Sequence, residues 1–163
     1  MANSDISAIY DALAALTILV EGSPPTVRNL ADIKPSLRAA DLPLRMLLPV
    51  GTDTRGQTLD YATLQVGSAS IIWTLTDVLF LRPVAQGQGL ETAPVALAEY
   101  AQDYVNALLS QHMLVKSGGN RAQVLNVSVA PGIYHWPIGA NIANGGTAYF
   151  GVWCVVTVKE SMA

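Results

Sequence analysis

His112, His135 and Cys154 are the side chains in this 163-residue sequence whose types suit nucleophilic chemistry. A thiol attacks as a thiolate, and needs a base beside it and a group that orients the base. On residue type alone, Cys154 with His135 would make a papain-like pair, and so a Cys/His hydrolase. Each residue also has a plainer role. His112 falls on the apolar stripe of a predicted helix, in its last turn, where a cation suits the helix dipole. His135 sits in the turn-like "GIYHWPIG", among aromatics. Cys154 follows Trp153 inside a predicted strand, where a cysteine packs as a small apolar group.

Metal and phosphate chemistry find less support. The twelve carboxylates form no E-x-x-H or D-x-D pattern of the kind that holds a cation. With one cysteine there is neither an internal disulfide nor a multi-cysteine metal site, which fits a reducing cytoplasm. "GQGLET" at 87–92 precedes a helix but lacks the Lys-Ser/Thr of a phosphate-binding loop. No catalytic, cofactor-binding or metal-binding residue is therefore assigned.

The composition points outward instead. Charged residues make up 13% of the chain, against about 25% in ordinary soluble domains. Mean hydropathy is +0.35. From Ala122 to Val158 no formal charge occurs over 37 residues. A membrane span is excluded there by Asn126, Pro131, Pro137, Asn141, Asn144, Gly145 and Gly146, which interrupt every apolar run. The start "MANSDIS" has no basic region followed by an apolar stretch, so it does not read as a secretory signal. A net charge of −3 with scattered basic residues argues against direct DNA reading. These features predict a chain whose exterior is covered by other chains.

The elements that must position these residues read as follows. Ser4 or Asp5 caps a first helix, whose stripe is Ile6, Ile9, Leu13, Leu16 and Val20. "EGSPPT" ends it. A short extended piece follows, then a turn of helix near Pro35 to Ala39. "DLPLRMLLPVG" holds a strand from Leu44 to Leu48 between two prolines, and Arg45 reads as a solvated edge charge or as a partner for a neighbour's carboxylate. Segments 51–67 and 84–91 are polar, and are predicted to be mobile tips in an isolated subunit. A long strand spans Ser68 to Pro83, with a bulge expected near Asp77.

Thr92 caps a second helix whose predicted stripe is Ala98, Ala101, Val105, Leu108 and His112, widened by Leu97, Tyr104 and Leu109. "KSGGNR" stops it. "QVLNVSVA" alternates Val124, Asn126 and Ser128 against Leu125, Val127 and Val129. Asn144-Gly145 marks a hairpin turn. The last strand sets Phe150, Val152, Cys154, Val156 and Val158 against Tyr149, Gly151, Trp153, Val155 and Thr157, with both faces largely apolar. The expected fold is a single α+β domain over 1–163, an antiparallel or mixed sheet with two main helices packed on one face.

Together the helix "ISAIYDALAAL", the proline-fenced strand "DLPLRMLLPVG", the strand "ASIIWTLTDVLFLRP" and the helix "APVALAEYAQDYVNALLSQH" resemble tail-terminator and neck proteins of long-tailed bacteriophages. The likeness lies in element order and texture across most of the chain, and it carries over no site residue. It implies a structural virion protein made in the host cytoplasm, without cofactor or enzymatic activity. The subunit would form a homohexameric ring that caps the tail tube and joins it to the head-side connector. Arg45, Arg82, Tyr149 and Trp153 are the interface candidates: the arginines stand beside prolines at strand ends, and the aromatics face away from the predicted core. A small-ligand or lipid-binding α+β domain is the rival reading.

Overall fold

The computed structural model describes residues 4–28, 36–48, 58–65, 68–84, 90–117, 120–137 and 145–162. Its element order is α1 (Ile6–Ala14), β1 (Thr26–Arg28), a 3-10 turn (Ala39–Asp41), β2 (Leu44–Leu48), β3 (Thr58–Gln65), β4 (Ser68–Pro83), α2 (Ala93–Ser110), β5 (Met113–Ser117), β6 (Asn120–Trp136) and β7 (Thr147–Met162). The fold is α+β. Its mixed sheet runs β1-β2-β4-β7-β6-β5, and β3 pairs with the first half of β4. Among the described strands β1 and β2 run parallel and the other pairings are antiparallel.

Asp5 caps α1 by accepting the Ala8 N–H at 3.1 Å. The helix stops at Ala14, earlier than the stripe predicts. From Leu16 to Val20 burial alternates instead, with Leu16, Ile18 and Val20 buried and Thr17 and Leu19 outward. The β-branched Thr17, Ile18 and Val20 favour extended backbone, and their period of two keeps the same apolar residues inside. Glu21 and Gly22 then turn the chain with positive φ, while Val20 and Ser23 exchange backbone hydrogen bonds.

Both helices pack on one face of the sheet. Ile9, Leu13, Leu97, Tyr104 and Leu108 join Leu75, Leu79, Val152, Cys154, Val156 and Val158 in one core. The predicted α2 stripe is rotated. Its buried line is Ala93, Ala96, Leu97, Tyr100, Tyr104 and Leu108, whereas Ala98 and His112 are exposed and Val105 is half-buried. The two tyrosines, bulkier than the alanines, take the inner positions. On the opposite face Leu44, Met46, Leu48, Val78, Phe80, Trp136 and Tyr149 form a second cluster. Phe80 meets Trp136 and Tyr149 edge-on at 5.7 and 5.5 Å.

Leu13→Ala and Leu108→Ala should each cost about 2–5 kcal/mol, since both residues are buried among many apolar neighbours. Chemical denaturation measures this. Losses below about half a kcal/mol, the usual span of surface substitutions, would show that these helix faces do not carry the core.

Several expectations on the strands are corrected. Segment 51–67 is not all loop: 58–65 forms β3, and 51–57 and 66–67 lie outside the described residues. So do residues 85–89 of the second expected tip. The bulge in β4 falls between Phe80 and Arg82, not near Asp77. β6 begins earlier and ends later than "QVLNVSVA", and a bulge between Val124 and Asn126 breaks its alternation. Val124 therefore shares the helix-covered face with Val127 and Val129, opposite Val158, Val156 and Cys154. The faces of β7 are as expected, and Gly145 has the positive φ of a turn glycine.

Candidate interface and the buried polar groups

Arg45 is not an edge charge. β2 lies between β1 and β4, all five of its residues are buried, and Arg45 is 1% exposed. Its side chain turns to the helix-covered face. There Nε donates to Asp77 Oδ1 and Oδ2 at 3.1 and 2.9 Å, and Nη2 donates to Oδ2 at 2.6 Å. Nη1 and Nη2 also donate to the Leu16 and Leu13 carbonyls at 3.1 and 2.7 Å. The guanidinium thus caps the C-terminal end of α1, where a cation is favoured. The Tyr104 hydroxyl donates to Asp77 Oδ2 at 2.8 Å, and the Tyr104 ring lies 5.6 Å from the guanidinium carbon.

This network fixes the electrostatics of the core. Burial alone would favour a neutral Arg45, but the Asp77 carboxylate more than reverses that and holds it charged. Burial, then the Asp77 charge, raises the hydroxyl pKa of Tyr104 and Tyr100. The same two causes push the Cys154 thiol well up, so it is a poor source of thiolate. His135 does not meet it. It pairs with Ala148, six residues before Cys154 on β7, which is about 20 Å along the strand. The hydrolase pair is not assembled.

A second buried carboxylate, Glu160, is fully enclosed. It accepts from Ser4 Oγ at 2.6 Å, the Asp5 N–H at 2.8 Å, Asn120 Nδ2 at 2.8 Å and Trp73 Nε1 at 2.9 Å. Desolvation raises its pKa, but the four donors outweigh that and the net shift is downward. Among the described residues no group of three His, Cys, Asp or Glu side chains could hold a metal ion.

Of the four interface candidates, three, Arg45 included, are engaged within the chain and one is half-buried. Tyr149 is 4% exposed and belongs to the second cluster. Arg82 pairs with Glu21 and donates to Thr92 Oγ1 at 3.4 Å. Trp153 is half-buried on the face away from the helices, as expected, with its ring 5.5 Å from that of Tyr134. Truncating it would disturb the subunit as well as any neighbour.

The surface that does stand open was not among the candidates. β5 pairs with β6 only as far as Gln123, and the Val124 N–H bonds the His112 carbonyl at 2.8 Å. Beyond that, no described strand pairs with the outer edge of β6. Beside this edge runs a groove of about 210 Å³ between α2 and β6, lined by Val105, Leu108, Leu109, His112, Val124, Leu125, Asn126 and Val127. Leu109 is 71% exposed, Leu125 49%, and Ile133 further along β6 51%. Large apolar side chains beside unpaired backbone are the features of a docking edge rather than a catalytic cleft. The uncharged run 122–158 was the sequence signal. Its location could not be read, because the end of β5 decides which part of β6 stays open.

No protein-family model matches the chain, and no curated protein matches its sequence. No helix among the described residues is long and apolar enough to cross a membrane.

Proposed function

We propose that this chain is a structural ring subunit of the neck of a long-tailed bacteriophage. It would act as a tail terminator that caps the tail tube and meets the head-side connector, without enzymatic activity. The observation that supports this most is the open β6 edge with its flanking apolar groove. That edge lies in a stretch of 37 residues without a formal charge. Interfaces that close a ring are head-to-tail, so each subunit must present two unlike surfaces. The main buried polar groups, Arg45, Asp77, Tyr104 and Glu160, are committed to holding the fold.

Native mass spectrometry of the purified protein tests the reading. A homohexamer is expected, and it should add to the ends of isolated tail tubes. A protein that stays monomeric at high concentration and joins neither tubes nor connectors is something else.

A further inference from the structure

The β6 edge also indicates what covers it. Alternate residues of an edge strand point their N–H and C=O groups outward, and only another strand satisfies them in sequence. The free stretch is short. The bulge at Leu125 interrupts pairing on one side, and Pro131, with no N–H to donate, ends it on the other. Between them Asn126 to Ala130 carry neither charge nor proline, so nothing in these five residues resists an added strand. Five residues make a strand of ordinary length, about 17 Å.

The same chain offers a strand to fill it. On the other side of the sheet β3 lies along the first half of β4, and no described strand pairs with its outer edge. At eight residues it is long enough for the free stretch, whereas β1 has only three.

We infer that β3 of a second copy adds to the free edge of β6, continuing the sheet from subunit to subunit, with Leu109 and Leu125 packed beneath the contact. This rests on the ring reading above and names its interface. The two edges are unlike and lie on opposite sides of one sheet, so the pairing is head-to-tail and repeats around a ring. A β6–β6 pairing would satisfy the same backbone groups but close at two copies and leave β3 open. Five paired residues fall short of the roughly 800 Å² per partner of a standard interface. The apolar groove beside β6 extends the contact.

Photo-crosslinking reads the pairing directly. p-Benzoylphenylalanine is placed in the position of Leu125 in an equal mixture of ordinary and nitrogen-15-labelled protein. After irradiation, the mixed-isotope crosslinked peptides should contain residues 58–65. Leu109→Asp and Leu125→Asp, both at exposed positions, should raise the subunit dissociation constant about tenfold or more with the monomer's thermal midpoint unchanged. Crosslinks from β6 to β6, or a hexamer of unchanged stability in both variants, overturn the β3–β6 pairing and leave the ring reading standing. A wild-type protein that is monomeric overturns both.

Discussion

Arg45→Met is expected to destabilise the fold by about 3–5 kcal/mol, the range for breaking a buried ion pair by removing one partner. The substitution keeps most of the side-chain volume, so the loss reports on charge and hydrogen bonding rather than on a cavity. It leaves Asp77, 1% exposed, without a cation, and removes the guanidinium donors from the Leu13 and Leu16 carbonyls at the end of α1. Arg45→Lys should recover only part of this, because one ammonium cannot reach the carboxylate from two sides and both carbonyls together. Replacing the pair, with Arg45→Met and Asp77→Leu in one chain, should be much milder than Arg45→Met alone, since no buried charge then lacks its partner. Urea unfolding of the three variants distinguishes these cases. Equal losses for Arg45→Met and the double variant would mean that the hydrogen bonds to α1, not the ion pair, dominate.

Glu160→Gln is expected to cost about 2–4 kcal/mol at pH 7, because a neutral amide accepts more weakly than a carboxylate and adds donors that meet donors. The pH dependence has a definite sign. The folded pKa lies below the unfolded value, which is about 4.3. The carboxylate therefore stabilises fully above the unfolded pKa, and this contribution is lost as pH falls through the folded one. The stability gap between wild type and Glu160→Gln should be wide at pH 7 and narrow in acid. A gap of constant width down to about pH 3 would mean that the four donors do not hold the charge.

The chain states some of this fold plainly and conceals the rest for identifiable reasons. β2, β4 and β7 are legible because their β-branched and apolar residues run on without helical periodicity. The site of Arg45 is not, since prolines at both ends of a five-residue strand suggest an edge. A clue is present all the same. Arg45 and Asp77 each interrupt an otherwise apolar run, and two opposite charges in runs buried on both faces have to find one another. β5 is hidden because "MLVKS" follows α2 with one intervening turn and its apolar residues extend the helical pattern. β3 is hidden in a polar stretch whose strand pairing comes from β4 rather than from its own composition. The α2 stripe slipped because Ala98 and Ala101 fit a helical line as well as Tyr100 and Tyr104 do. Size, not spacing, decides which pair goes inside.

The enclosure of Glu160 joins places far apart along the chain. The backbone of Asp5 and the hydroxyl of Ser4 lie within hydrogen-bond distance of a side chain on the last strand. The start of α1 and the end of β7 thus meet at one corner of the molecule. With Trp73 on β4 and Asn120 on β6 donating to the same carboxylate, one side chain clasps four segments that lie far apart in the chain. Undoing that clasp should loosen them together, so Glu160→Gln is expected to speed amide exchange at the start of α1 and along the end of β7 alike.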